Sequence, residues 1–254
     1  MALENLEKAL GREKSPDEIR AIAKASFISL AEFAAGWLRM DAIAKNPGRF
    51  LSARHAERVH EALKNKKGAV ILVSHAGNWE IMALIGGIFL AQPVGAGIHA
   101  LARPLKNPFF YDYVIRQRGL TGVRSIPKSG AVRETFRSLK RNEIVCLLID
   151  QRVEEGSVEA DFFGRKALTT SLPALAALRL GTPVFFGSFE YLPGPRFSLT
   201  FEGPFALEET GNLTADILSN TQRFNDRLEA EIRRDPGRWL WMHNRWRPWG
   251  GGKE

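Results

Sequence analysis

Two short apolar runs, Ala69-Val-Ile-Leu-Val73 and Glu143-Ile-Val-Cys-Leu-Leu-Ile149, constrain the fold of this chain most. Neither alternates polar with apolar residues, so each reads as a strand buried on both faces, the pattern of a parallel sheet covered by helices. Helical spacing over 78–91, 107–118, 130–140 and 172–180 alternates with further strands over 94–100 and 123–126. Two strands over 183–191 and 196–201, joined by Leu192-Pro-Gly-Pro195, and a helix over 214–233 complete the order. This β-α-β-α succession predicts an α/β fold, with a mostly parallel central sheet flanked by helices.

The preceding segment reads differently. Ser15-Pro16-Asp17-Glu18 combines a hydroxyl cap, proline at the first helical position and a carboxylate three residues on. Apolar positions from Ile19 to Leu38 then recur at helical spacing until Asn46-Pro47-Gly48. The polar face is not strongly basic, which favours a packed helix over one lying on a membrane. A second helix is predicted over 52–63. Residues 1–66 thus form an N-terminal helical segment before an α/β core over 67–254, and no repeat or long linker divides the chain.

Of 254 residues, 36 are Lys or Arg and 28 Asp or Glu, so the net charge is +8, and 44% are hydrophobic. That balance excludes a disordered chain and a polytopic membrane protein. The single cysteine, Cys146, excludes an internal disulfide. Residues 1–12 lack the apolar core of a signal peptide. The stretch from Ile81 to Ala102 has no Asp, Glu, Lys or Arg, but Gln92-Pro93 interrupts it, so no membrane span is expected. A charge of +8 beside 6 Trp and 16 Phe points to an acidic partner: nucleic acid, an anionic membrane surface or an acidic carrier protein.

Chemistry concentrates in Ser74-His75-Ala76-Gly77-Asn78-Trp79-Glu80. His75 falls at the carboxyl end of a buried strand, where open α/β sheets place their ligand crevice. Glu80 sits in the first turn of the next helix, from which its carboxylate can fold back towards the imidazole. A histidine held in this way is a general base for an alcohol; as a purely structural pair, His75 bonds within the core and Glu80 complements the helix N-terminus. Competing motifs are absent: no Gly-x-Ser-x-Gly, no Walker A loop, no Gly-x-Gly-x-x-Gly. Ser125-Ile-Pro-Lys128 matches Ser-x-x-Lys, but Pro127 disfavours the helix that motif needs. His55 and His60 lie off a common helical face, and His99 and His243 read as structural, so no metal site is predicted.

The run from Ser74 to Glu80 closely resembles the first motif of the late acyltransferases of lipid A biosynthesis (lauroyl/myristoyl type), within the lysophospholipid and glycerolipid acyltransferase superfamily. Ala102-Arg103-Pro-Leu-Lys-Asn107-Pro108 with Arg118-Gly119 resembles the family's second block. Leu148-Ile-Asp150-Gln151 with Asp161-Phe-Phe-Gly164 resembles the third, and Leu172-Pro-Ala174 with Gly181-Thr-Pro-Val184 the fourth. The closing block is matched by Pro236-Gly-Arg-Trp-Leu-Trp-Met-His-Asn-Arg-Trp246. These matches run in the expected order over nearly the whole chain. Glu80, where the wider superfamily often has Asp, is the preference of the lipid A branch.

The resemblance implies a glycerolipid acyltransferase-like fold and transfer of a fatty acyl group from an acyl-carrier-protein or coenzyme A thioester to a membrane lipid hydroxyl, most directly on a lipid A precursor. Phosphatidylinositol mannosides, lysophospholipids and aminolipids are alternative acceptors. No metal or redox cofactor is implied. His75 takes the role of base and Glu80 fixes its imidazolium. Arg103 becomes the candidate for the oxyanion, or alternatively a phosphate contact or surface charge. Asn78, Trp79, Asn107, Asp150 and Gln151 are assigned to substrate binding, with Asp150 orienting Arg103 or the substrate, or serving as a cap. Family members usually begin with a membrane-spanning helix, and this chain opens in the region after it, so a peripheral protein at the cytoplasmic face of the bacterial inner membrane is expected. The stretch from Arg238 to Trp249 sets four Trp beside arginines. It suits an anionic bilayer interface, aromatic core packing, or a nucleic-acid surface without a recognised binding motif.

Overall fold

The computed structural model describes residues 1–102, 108–127 and 129–247. The chain opens with α1 (Ala2–Leu10) and α2 (Pro16–Trp37). The second begins where the cap signal placed it: Ser15 Oγ accepts the Glu18 N–H at 3.3 Å, and the Glu18 carboxylate accepts the Ser15 N–H at 2.8 Å. Next come α3 (Met40–Lys45), α4 (Pro47–Phe50), β1 (Leu51–Arg54), α5 (Ala56–Leu63) and β2 (Ala69–Val73). After α6 (Trp79–Ile85) and a π-helical turn over Gly86–Ala91 follow β3 (Ile98–Ala102), α7 (Pro108–Gly119), β4 (Val123–Pro127), α8 (Ala131–Lys140) and β5 (Ile144–Leu148). A hairpin of β6 (Ser157–Phe162) and β7 (Arg165–Thr170) leads to α9 (Leu172–Leu180), β8 (Val184–Leu192), β9 (Arg196–Glu202) and α10 (Leu213–Arg234).

Seven strands form one sheet in the order β1-β9-β8-β2-β5-β3-β4. Every neighbouring pair is parallel except the antiparallel β8 and β9. The two apolar runs lie side by side at its centre as β2 and β5. Val70 and Leu72 of β2 join Val145 and Leu147 of β5 in a core shared with α1, α9 and α10. Ala69, Ile71 and Val73 face the opposite core, with α5 and α6. Both faces are covered, which is why these strands carry no polar alternation.

Three departures from the sequence reading have physical causes. Residues 1–66 are not helical throughout: Leu51–Arg54, overlapping the start of the helix expected over 52–63, runs parallel to Phe197–Thr200 as an edge strand. His55, with φ 62°, then turns the chain into α5. The partner strand lies far away in sequence, outside any local window. Secondly, the helix expected to reach Asn46 stops at Trp37, and α3 follows separately. Thirdly, α1 and the β6–β7 hairpin are not predicted by periodicity; both are held by tertiary contacts, such as the Asn5 amide donating to the Trp241 carbonyl at 2.8 Å. The turn over Gly86–Ala91 marks a close approach, since a Cβ on Gly87 would collide with Thr121. Among the described residues, no helix is long and apolar enough to cross a membrane.

Candidate active site

The parallel register of β2 and β5 builds the site. Val73 is partnered with Leu148, so the residues two positions beyond, His75 and Asp150, meet at the carboxyl edge of the sheet. Asp150 Oδ1 lies 2.8 Å from His75 Nδ1, and Asp150 Oδ2 accepts the His75 backbone N–H at 2.7 Å. A third donor, the Trp239 indole N–H, reaches Oδ2 at 2.7 Å. A carboxylate only accepts, so Nδ1 carries a proton in either charge state of the imidazole, and Nε2 holds the lone pair when the ring is neutral. Burial alone would raise the Asp150 carboxyl. The facing His75 charge and the hydrogen bonds from His75 and Trp239 outweigh it, and hold the carboxyl at about 2. Asp150 is 1% exposed and His75 16%, so the carboxylate is sealed while the imidazole keeps an open edge.

The turn between β2 and α6 is built for this placement. Gly77 takes φ 72°, and a Cβ there would meet the Phe189 ring at 2.5 Å. Asn78, expected to bind substrate, is fully buried and caps α6 instead: its Oδ1 accepts the Ile81 N–H at 3.1 Å, and its amide donates to the Phe33 carbonyl at 3.1 Å. Trp79 stacks on Phe33 at 4.0 Å between centroids and meets His75 edge-on at 5.0 Å.

Glu80 does not hold the imidazole. Arg118 Nε and Nη2 grip its carboxylate at 2.8 and 2.7 Å, and Arg118 Nη1 also donates to Ser125 Oγ at 3.2 Å. Burial works against the Arg118 charge, but the hydrogen bonds and charge of Glu80 outweigh it, so the guanidinium is held above its ordinary value. The carboxylate on the imidazole is therefore Asp150, expected only to orient Arg103 or the substrate, or to serve as a cap. Arg103 and Asn107 lie outside the described residues.

A cavity of about 970 Å³ opens beside the imidazole. His75, Glu80, Arg118 and Gln151 supply polar wall, with the Gln151 amide 3.4 Å from His75 Nε2. Around them the lining is mainly apolar. Trp37, Val114 and Leu148 come from one side of the sheet, and Leu101, Leu147 and Leu172 from the other, so the cavity straddles the sheet edge. Among the described residues, no cluster of His, Cys, Asp and Glu could hold a metal ion. His99 is buried and bonds Glu143 Oε2 at 2.8 Å, and His243 Nε2 accepts the Arg152 N–H at 2.9 Å.

Three large side chains of the closing block are interior. Trp239, Trp241 and Arg245 are at most 1% exposed. Arg245 Nη1 and Nη2 donate to the Leu168 carbonyl and Thr169 Oγ1 at 2.5 and 2.6 Å, and the guanidinium stands 5.2 Å over the Phe162 ring. Trp246 is part-buried, with its indole N–H on the Phe162 carbonyl at 3.1 Å. These side chains are thus withdrawn from both the membrane and the nucleic-acid surface considered for them; Trp249 lies outside the described residues. The block also clamps the site: the Gly77 N–H donates to the Arg238 carbonyl at 3.0 Å, and Ala76 bridges Trp239. Sequence reasoning missed Trp239 and Arg118 as site residues. Both lay inside matched blocks, which was the available signal.

A carboxylate-fixed imidazole, presented to a large and mainly apolar cavity at the edge of an α/β sheet, has the chemistry to accept a proton from a group held in that cavity. The comparisons give the family. Residues 1–248 match the family model described as bacterial lipid A biosynthesis acyltransferase, and the chain belongs to that family of acyltransferases. It is 25% identical over 253 residues to a phosphatidylinositol mannoside acyltransferase of Mycolicibacterium smegmatis, covering 95% of this chain and 77% of that protein. Two Mycobacterium tuberculosis proteins of the same description, from strains CDC 1551 and H37Rv, are 28% identical over 194 residues. Those matches cover 75% of this chain and 58% of each relative.

Proposed function

We propose that the chain moves a fatty acyl group from an acyl-carrier-protein or coenzyme A thioester to a sugar hydroxyl of an anionic glycolipid at the cytoplasmic face of the membrane. The observation that carries this reading is the His75–Asp150 pair facing the apolar cavity. Nε2 takes the hydroxyl proton as the oxygen attacks the thioester carbonyl, while Asp150 steadies the imidazolium. The new C–O bond forms, the C–S bond breaks, and the imidazolium returns its proton to the departing thiolate. Glu80 acts through Arg118, fixing that guanidinium on the cavity wall beside the reacting groups. Arg103 keeps the oxyanion role that the resemblance implies. Trp79 and Gln151 line the substrate space, and the mechanism calls on no metal or redox cofactor.

The family description names lipid A and the relatives' names give phosphatidylinositol mannosides; both are anionic glycolipids. The test supplies each acceptor in vesicles with acyl-carrier-protein or coenzyme A thioesters and reads products by mass spectrometry. An acyl-sized mass gain on either acceptor, lost in His75→Ala, is expected, and it names donor and acceptor together. Release of free fatty acid alone, with neither acceptor modified, would overturn the reading.

Trp239 offers a second check on the same geometry. Trp239→Phe keeps a ring beside Phe162 and Trp241, at 5.8 and 4.6 Å, but removes one donor from Asp150. Hydrogen bonds to charged groups contribute about 1.5–3 kcal/mol, so kcat should fall about ten- to a hundredfold while the KM for the thioester holds. A lower melting temperature with unchanged kcat would make the indole a packing element only.

A further inference from the structure

α2 presents two faces. Ile19, Ala23, Ser26, Ser29 and Trp37 are buried against the rest of the protein. The opposite face is open and, from Phe27 onward, largely apolar. Phe27 is 53% exposed, Ile28 51% and Leu38, just past the helix end, 73%, with exposed Ala31, Ala34 and Ala35 between them. Steps of three and four residues put these side chains on one stripe about 16 Å long. An exposed apolar stripe on a folded protein calls for a partner.

We infer that this face of α2 is the membrane-docking surface, lying in the headgroup region of an anionic bilayer; the inference rests on the acyl-transfer reading above. Two features select that occupant. The first is charge. Between residues 20 and 50 the chain carries Arg20, which is paired with Asp17, and Lys24, Arg39, Lys45 and Arg49, all exposed, against two carboxylates, Glu32 and Asp41. Both carboxylates are already engaged, Glu32 by Arg238 and Asp41 by the Gln117 amide at 3.2 Å. Apolar side chains rimmed by cations match a headgroup layer of anionic lipid. The second is position. Phe33 and Trp37 of the same helix line the cavity that holds His75, so docking α2 brings the reaction space to the layer in which a glycolipid acceptor sits.

Other occupants fit less well. One helix face about three turns long falls short of the roughly 1,200–2,000 Å² buried by stable protein pairs, and a two-fold axis through it would set like charges together. An acidic carrier protein would match the cations and leave the apolar stripe unused.

The test uses the whole chain and reads binding without turnover. Wild type should sediment with mixed phosphatidylcholine and phosphatidylglycerol vesicles, and weakly with phosphatidylcholine alone. Phe27→Ser and Leu38→Ser should each weaken binding about tenfold, while Leu218→Ser, at an exposed leucine on α10, leaves it unchanged. In Leu38→Trp the added emission should shift to the blue on vesicles and be quenched by brominated lipid. Transfer to a water-soluble, short-chain acceptor should be the same in wild type and the serine variants. Loss of all transfer with intact vesicle binding would sink the acyltransferase mechanism and spare the docking surface. Equal binding by wild type and the serine variants would overturn it, as would a concentration-dependent dimer abolished by Leu38→Ser. A Leu38→Trp response to carrier protein and not to vesicles would equally assign the stripe elsewhere.

Discussion

His75→Ala should lower acyl transfer by about 10²–10⁴-fold with little change in KM, because it removes the proton acceptor and leaves the cavity walls in place. Its fold should survive. The imidazole keeps an open edge, and without it Asp150 still accepts the backbone N–H of residue 75 and the Trp239 indole N–H, each at 2.7 Å. Thiol release from the donor, followed beside circular dichroism, measures both. Turnover within about tenfold of wild type by a folded variant would remove the imidazole from the proton-transfer step.

Asp150→Asn is the second large effect. The native carboxylate accepts three hydrogen bonds on two oxygens, from His75 Nδ1, the His75 backbone and Trp239. An amide must turn its NH₂ towards at least one of those donors. If it faces Nδ1, the imidazole takes the other tautomer, and Nε2 carries a proton where the reaction needs a lone pair. A comparable exchange in a Ser-His-Asp triad costs about 10⁴-fold, and a loss of about 10²–10⁴-fold is expected here. Stability changes too. A carboxyl held at about 2, against 3.8 ordinarily, contributes stability that is present above pH 4 and is lost as pH falls towards 2. With the facing imidazole charged, the shift corresponds to about 2 kcal/mol. Asp150→Asn should therefore unfold at lower denaturant than wild type at pH 7, with the two curves converging as pH falls from about 4 to about 2. Parallel loss of stability by both proteins across that window would show that the carboxylate is not stabilised by its partners.

Much of the fold was legible because its signals are local. Ser15 and Glu18 cap the helix that they predicted, and the run 69–73 is a strand over the same residues. α9 starts at Leu172 and ends at Leu180, as its spacing indicated. β1 was not legible, since four residues with helical neighbours become a strand only when β9 supplies the hydrogen bonds. In the site, His75 could be read from its place at a strand end. Its partner could not: Glu80 is five residues away and Asp150 seventy-five, and proximity in sequence favoured the wrong carboxylate.

By itself, then, the sequence determined the α/β class, the place of His75 at a strand end and the family blocks, because each depends on residue types at short spacing. Tertiary structure decided which groups meet. The β2–β5 register delivered Asp150 to Nδ1, α7 brought Arg118 to Glu80, and the closing block carried Trp239 to Asp150. Trp239, Trp241 and Arg245, which composition would place on a membrane or a nucleic acid, are buried, while an exposed apolar stripe appears on a helix that spacing reads as packed. The reason is common to both: composition counts apolar and charged side chains, but only the packing of one element on another decides which face water sees.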